Sequence, residues 1–209
     1  MPPAAQTRDR PAIDRRSFLF TTTAVVGAAG AAAAAWPLID QMNMDARARS
    51  TADIISFDAT TLRPAEQRRL RWRNFPVFVV RRTSAILAAM QEPAFVAALR
   101  DADSGMHQQP PYARNWHRSI DPIFAVLVGI CTKCGCVPSY SAEASVLTMA
   151  GGYTCPCCAS HYDPAGRVYA GIAQYNLAIP PYAIEGHSQI LLGKNPPGEL
   201  FSFESIEQI

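Results

Sequence analysis

Residues 18–39 form an unbroken apolar run, rich in alanine and without a charged side chain, and no later stretch of the chain resembles it. As a helix rising about 1.5 Å per residue the run extends roughly 33 Å, enough to cross the hydrocarbon core of a bilayer. Trp36 at its far end suits a membrane interface, and Pro37 is expected to end the helix as the chain leaves it. Beyond it the pattern changes. Short runs rich in branched and aromatic residues at 53–57, 68–72, 76–80, 125–130 and 189–192 predict strands of an antiparallel β head. Residues 83–90 and 93–100, with more alanine and leucine, predict two short helices. Residues 101–122 mix prolines with polar side chains and are expected to form a long surface excursion, with Trp116 as its packing anchor.

These shifts divide the chain into a cytoplasmic region (1–16), a single transmembrane anchor (17–39), a polar tether with Arg47 and Arg49 (40–50) and one globular head (51–209). At 209 residues, 49% of them hydrophobic, the chain has room for one well-buried domain plus an appended segment. Asp14-Arg15-Arg16-Ser17-Phe18-Leu19 sets paired arginines directly before the apolar run, as in a twin-arginine export signal. The same pair would also mark the cytoplasmic flank of a transmembrane helix, so both readings place the head on the periplasmic side of the inner membrane. Ala33-Ala34-Ala35 offers a small-residue cleavage site that would release the head, but a retained anchor is the reading taken. A net charge of +2, with acids scattered among the arginines, supplies no contiguous basic face, and nucleic acid is excluded as a partner.

All six cysteines fall in two clusters, Cys131-Thr132-Lys133-Cys134-Gly135-Cys136 and Cys155-Pro156-Cys157-Cys158. Cys131 with Cys134, and Cys155 with Cys158, give two C-x2-C pairs, a spacing that binds zinc or iron through thiolates. Cys136 and Cys157 remain, and an oxidising compartment would allow them to pair. Three disulfides and no metal is the alternative, although the adjacent Cys157 and Cys158 make free pairing strained. Gly135 and Pro138 flank the first cluster and Gly151, Gly152 and Pro156 the second, so both are expected on turns carried by strand ends at 124–130 and 167–169. No serine, histidine and acid constellation or phosphate-cradling glycine loop competes with the cysteines, and no catalytic residue is assigned.

At these clusters, and well beyond them, the chain resembles the Rieske iron-sulfur family of ubiquinol cytochrome c reductase. Trp36-Pro37-Leu38-Ile39-Asp40-Gln41-Met42-Asn43, Trp72-Arg73-Asn74-Phe75-Pro76-Val77, Gly129-Ile130-Cys131-Thr132, Gly135-Cys136-Val137-Pro138, Cys155-Pro156-Cys157, Ser160-His161-Tyr162-Asp163 and Asn176-Leu177-Ala178-Ile179-Pro180-Pro181-Tyr182 carry the likeness. The resemblance implies an all-β head, a Rieske-like antiparallel sandwich with a rubredoxin-like cluster-binding subdomain at about residues 125–180. It implies a [2Fe-2S] cofactor, cytochrome b and cytochrome c1 as partners, and ubiquinol as electron donor. In the family the boxes read C-T-H-L-G-C and C-P-C-H-G-S; the first cysteine of each holds one iron and the two histidines hold the other. Cys131 and Cys155 match the thiolate ligands, and Cys136 with Cys157 matches a disulfide.

Lys133 and Cys158 stand at the two histidine positions, Cys134 follows Lys133, and none of His107, His117, His161 and His187 falls at a ligand position. The expected ligand set is therefore Cys131, Cys134, Cys155 and Cys158, as a four-cysteine variant of the [2Fe-2S] cluster, with a closed zinc site and no redox activity as the alternative. Ser160 and Tyr162 match the family's hydroxyl donors to the cluster and its ligands, and Lys133 would offset thiolate charge. His161 is expected to be a loop side chain. Residues 171–174 match the loop that packs over the cluster but lack its two prolines. In the family an exposed ligand histidine binds the quinol and takes its proton, and neither Lys133 nor a metal-bound thiolate replaces that chemistry.

Overall fold

The computed structural model describes residues 14–42, 54–143 and 151–208. The chain divides into two compact units, 1–48 and 49–209. The first contains one helix, α1 (Arg15–Met42), whose segment Arg15–Ile39 is long and apolar enough to cross a membrane. Within it the hydroxyls of Thr21, Thr22 and Thr23 donate to the carbonyls of Ser17, Phe18 and Leu19 at 2.8, 2.8 and 2.9 Å, so no hydroxyl among these three is left unpaired in an apolar setting. Pro37 does not end the helix, which runs on to Met42. Proline removes one amide donor and crowds the carbonyl four residues back, which a helix interior accommodates as a local distortion. Residues 43–50 of the expected tether lie outside the described residues.

Among its described residues the second unit has ten short strands in three antiparallel sheets. Strands β1 (Ile55–Asp58), β9 (Tyr182–Glu185) and β10 (Gln189–Leu192) form one sheet in the order β1-β10-β9. Strands β2 (Gln67–Trp72), β3 (Phe75–Arg81) and β4 (Phe124–Val128) form the second, with Val79 opposite Val126 and Phe78 opposite Leu127. Four very short strands, β5 (Ser139–Ser141), β6 (Gly152–Thr154), β7 (His161–Tyr162) and β8 (Val168–Ala170), make the third.

The middle of β3 and all of β4 are buried, which is why Val77-Phe78-Val79-Val80 and Phe124-Ala125-Val126-Leu127-Val128 read as continuous apolar runs rather than alternating ones. Their side chains belong to one core with Trp72, Tyr153, Tyr162, Leu177, Ile190 and Phe203. Cys131 and Cys155 lie in that same core. The third sheet, which bears the second cysteine loop, is therefore packed against the rest of the head and is not a loose appendage.

The predicted strands at 68–72, 76–80, 125–130 and 189–192 are β2, β3, β4 and β10 within two residues, and that at 53–57 is β1, with residue 53 outside the described set. The helices appear as α2 (Ser84–Ala89), with Thr83 Oγ1 accepting the Ile86 N–H at its start, and α3 (Pro93–Val96). The second is shorter than expected because residues 97–100 continue as turns.

Residues 101–122 correct the surface reading. Ser104, Gln108, Gln109, Arg118 and Ser119 within them are buried, whereas Trp116 is exposed, with its ring edge-on to His117 at 5.1 Å. The Arg118 guanidinium donates to the carbonyls of Ala165 and Leu177 and to Gln109 Oε1, each at 2.9 Å. An arginine fills that place because its forked donors pair with several carbonyls that no strand satisfies.

Candidate metal centre

Two loops carry the cysteines, and they share one backbone design. The Cys131 N–H donates to the carbonyl five residues on, at Cys136 (2.8 Å), and the Gly135 N–H returns to the Cys131 carbonyl (2.9 Å). The Cys155 N–H likewise donates to Ser160 (2.8 Å), and the Ala159 N–H returns to Cys155 (3.0 Å). In each loop the residue after the second cysteine of the C-x2-C pair is left-handed, Gly135 at φ +73° and Ala159 at φ +50°. Glycine adopts that region freely, and alanine only with strain. The first loop leaves β4 and the second joins β6 to β7. A disulfide between Cys136 and Cys157 ties the two together, as the family resemblance implied.

The remaining sulfurs converge. Cys131, Cys134, Cys155 and Cys158 place their Sγ atoms within 4.8 Å of one another. Cys131 and Cys158 are 3.5 Å apart, and Cys134 and Cys155 are 3.3 Å apart. Cys131 and Cys155 are buried, Cys158 is half-buried and Cys134 is exposed, so the group reaches the surface on one side only. Neither Cys136 nor Cys157 is free for a ligand role. His161 is not part of the group; it sits on β7 with Nδ1 3.1 Å from Thr154 Oγ1.

Hydrogen-bond donors surround the sulfurs. Thr132 Oγ1 donates to the Tyr175 carbonyl at 2.7 Å, so its own hydrogen is committed. The Tyr162 hydroxyl lies 3.3 Å from Thr132 Oγ1 and 3.2 Å from Cys131 Sγ; its single hydrogen goes to Thr132 while Cys131 is a thiol that can donate to the Tyr162 oxygen, and turns to Cys131 once that sulfur is a thiolate. Ser160 Oγ accepts the Ala173 N–H at 3.0 Å and directs its hydrogen toward Cys158 Sγ at 3.2 Å. Burial pushes the Cys158 thiol up, but the Ser160 hydroxyl and N–H, with the Cys131 and Cys155 thiols, outweigh it and bring it down to about 6. Burial and the Cys134 contact drive Cys155 up to about 12, against the N–H groups of Cys157 and Cys158. The Cys136 N–H and then the Cys155 thiol draw Cys134 down, yet desolvation with the Cys158 and Cys131 thiols leaves it raised. Without a cation the group can hold one thiolate comfortably and resists more, because each further negative sulfur would face the first at contact distance. Four thiolates here require a metal ion.

Lys133 lies exposed at the tip of the first loop. Arg15 and Arg16 open α1, and the Arg16 guanidinium lies 5.9 Å from the centre of the Phe20 ring. The loop at 171–174, which lacks the family's prolines, is held by another device that sequence reading missed. Arg100 donates to the carbonyls of Ala173, at 2.7 Å, and Gly171, while Ser160 takes the Ala173 amide. Only a basic residue just after a short helix hinted at this, and its partners lie more than seventy positions away.

Comparison with known proteins gives a consistent result. The family model for the ubiquinol-cytochrome c reductase Fe-S subunit TAT signal matches residues 5–45. The ubiquinol-cytochrome c reductase iron-sulfur subunit of Allochromatium vinosum is 39% identical over 188 residues, covering 87% of this chain and 89% of its own. That of Blastochloris viridis is 36% identical, covering 86% and 92%. Among solved structures, a chain of a hyperthermophilic respiratory Complex III aligns with a TM-score of 0.44 at 20% identity, over 80% of this chain and 98% of that one.

Proposed function

Because the chain belongs to the family of ubiquinol-cytochrome c reductase iron-sulfur subunits, we propose that it carries single electrons through an iron centre held by Cys131, Cys134, Cys155 and Cys158. The observation that carries this reading is the convergence of four thiol sulfurs within 4.8 Å of one another. An electron-transfer role is that of its relatives; the ligand set is this chain's own. In this reading α1 holds the protein in the inner membrane, the twin arginines stay on the cytoplasmic side, and the head faces the periplasm, where cytochrome b and cytochrome c1 are its partners.

The ligand change moves the chemistry in a definite direction. Replacing two neutral imidazoles by two thiolates adds two negative charges and makes reduction harder. Histidine-ligated centres of this family span roughly −150 to +300 mV, against about −400 mV for four-cysteine plant-type clusters. In a two-iron core the drop would reach several hundred millivolts, which at about 59 mV per tenfold makes electron withdrawal from ubiquinol strongly unfavourable. The donors from Tyr162, Ser160 and the loop amides offset part of that charge. No ligand remains that can accept the quinol's proton. The protein therefore accepts electrons from a donor stronger than ubiquinol, or oxidises ubiquinol slowly.

Zinc in the same four thiolates would leave a structural protein with no redox role. Tagged protein extracted from membranes distinguishes these readings. The expected result is co-elution with b- and c-type haem and a reversible one-electron centre, with ubiquinol-driven cytochrome c reduction at least tenfold below that of a histidine-ligated relative. Elution without haem, or with zinc and no redox centre, would overturn the proposal.

A further inference from the structure

The family's cofactor has two irons joined by sulfides, with two protein ligands on each. Carried onto this chain, Cys131 and Cys155 would share one iron, and Cys134 and Cys158 the other. The sulfurs are not arranged that way. The shortest contacts, Cys131 to Cys158 at 3.5 Å and Cys134 to Cys155 at 3.3 Å, each join a thiolate of one iron to a thiolate of the other. In a two-iron core such sulfurs are separated by the full iron-to-iron vector plus the outward reach of both bonds. Pairing the ligands differently does not help, because all four sulfurs lie within 4.8 Å of one another and no division into two distant pairs exists. The thiolates do not fit a [2Fe-2S] core.

They fit one ion. A metal-sulfur bond of about 2.3 Å gives a tetrahedron with edges of about 3.8 Å, and two ligands of one ion never stand more than about 4.6 Å apart. The two shortest contacts fall below that edge and the 4.8 Å within which all four sulfurs lie stands just above the limit, so small shifts of the thiols seat them round one ion, whereas a two-iron core would need them driven apart. The backbone supports the same conclusion independently. The two loops repeat one design, each with a paired carbonyl and amide on its first cysteine and a left-handed residue after its second. Two equivalent loops face each other, each offering two thiolates, and the disulfide between Cys136 and Cys157 joins them at one side. Such a pair closes around a single tetrahedral ion and leaves no room for bridging sulfide.

We infer that Cys131, Cys134, Cys155 and Cys158 bind one metal ion without inorganic sulfide, so that Cys158 at one of the family's histidine positions and Cys134 beside the other have converted a two-iron site into a mononuclear one. The inference rests on the proposal that these cysteines hold the protein's metal, and it narrows the electron-carrying form to a single iron in four thiolates.

The test is metal and acid-labile sulfide content of the full chain extracted from membranes, with metal-edge X-ray absorption on the same sample. The expected result is one metal ion per chain, no labile sulfide, four sulfur neighbours and no metal-metal scattering. Two irons and two sulfides with a metal-metal shell would overturn the inference while leaving the electron-carrier proposal standing. One zinc would support the single-ion site and overturn the electron-carrier proposal. No bound metal would overturn both. Cys134→Ser adds a second reading on the same protein, because a mononuclear site loses one of four sulfur neighbours. Unchanged sulfur coordination in that variant would also overturn the inference.

Discussion

The turn that follows the second cysteine loop hangs on a buried ion pair, and removing its charge should be costly. Asp163 Oδ1 accepts the N–H groups of Ala165 (2.9 Å) and Arg167 (2.7 Å), and Oδ2 accepts Arg167 Nε (2.8 Å) and Nη2 (2.7 Å). The side chains are 0% and 2% exposed. Asp163→Asn keeps one oxygen for the two amides but turns an amide group toward the guanidinium, so a buried positive charge loses its partner. Breaking a buried pair from one side costs about 3–5 kcal/mol. For a chain of this size, about 2–4 °C per kcal/mol converts that to a fall in Tm of roughly 6–20 °C. Asp163→Ala should cost about 2 kcal/mol more, since two backbone amides are then orphaned as well. The double change Asp163→Asn with Arg167→Met should recover most of the loss, because no unpaired charge remains. Thermal unfolding followed by circular dichroism on detergent-solubilised, metal-loaded protein measures all three. A Tm for Asp163→Asn within about 3 °C of the parent would refute the reasoning.

Four other outcomes follow from the same geometry. Tyr162→Phe removes the hydroxyl donor to Cys131, and if that bond is about 1 kcal/mol stronger to the reduced centre, redox titration should show a midpoint about 40 mV more negative. Gly152→Ala places a Cβ against the Tyr162 carbonyl and 2.8 Å from the Asp163 carbonyl carbon at φ +118°, so β6 should lose its register on β7 and metal content should fall sharply. Ala159→Gly should raise Tm by a few degrees, because a left-handed alanine costs about 1–2 kcal/mol and glycine pays only part of that back in entropy. His117 is held down to about 4 by desolvation and then by Arg82, against the pull of Asp121. Its depressed value means that the unfolded chain takes up the proton first, so the head should lose stability as pH falls from 6.5 through about 4. A Tm profile against pH that is flat there in the parent, or unchanged by His117→Gln, would contradict this.

Where side-chain type alone decides an outcome, the sequence was legible. The run Val77-Phe78-Val79-Val80 could bury itself only at the centre of a sheet, and six cysteines in two clusters announced both the loops and the site. Strands of two or three residues, such as β7 with only His161 and Tyr162, have no periodicity to detect and exist because β6 and β8 pair with them. Arg118, inside the expected surface excursion, and Arg100, at the end of an expected helix, bond main-chain carbonyls at 165, 171, 173 and 177, which no local pattern advertises. Pro37 looked like a helix end, but one missing amide does not stop a long apolar helix. The spacing pointed to the four cysteines whose sulfurs the structure brings together, but the distances between those sulfurs could not be read from it.

A centre whose ligands are all thiolates has no ligand proton to lose on oxidation, whereas histidine ligands release theirs as the potential rises. The most direct measurement is therefore the midpoint potential of the membrane-extracted protein as a function of pH, by optical redox titration across roughly pH 6 to 10, the range in which ligand imidazoles would titrate. A reversible one-electron wave whose midpoint stays constant throughout is the expected result. A midpoint that falls by about 59 mV per pH unit over any part of that range would show a proton coupled to the electron, and would contradict the four-thiolate assignment.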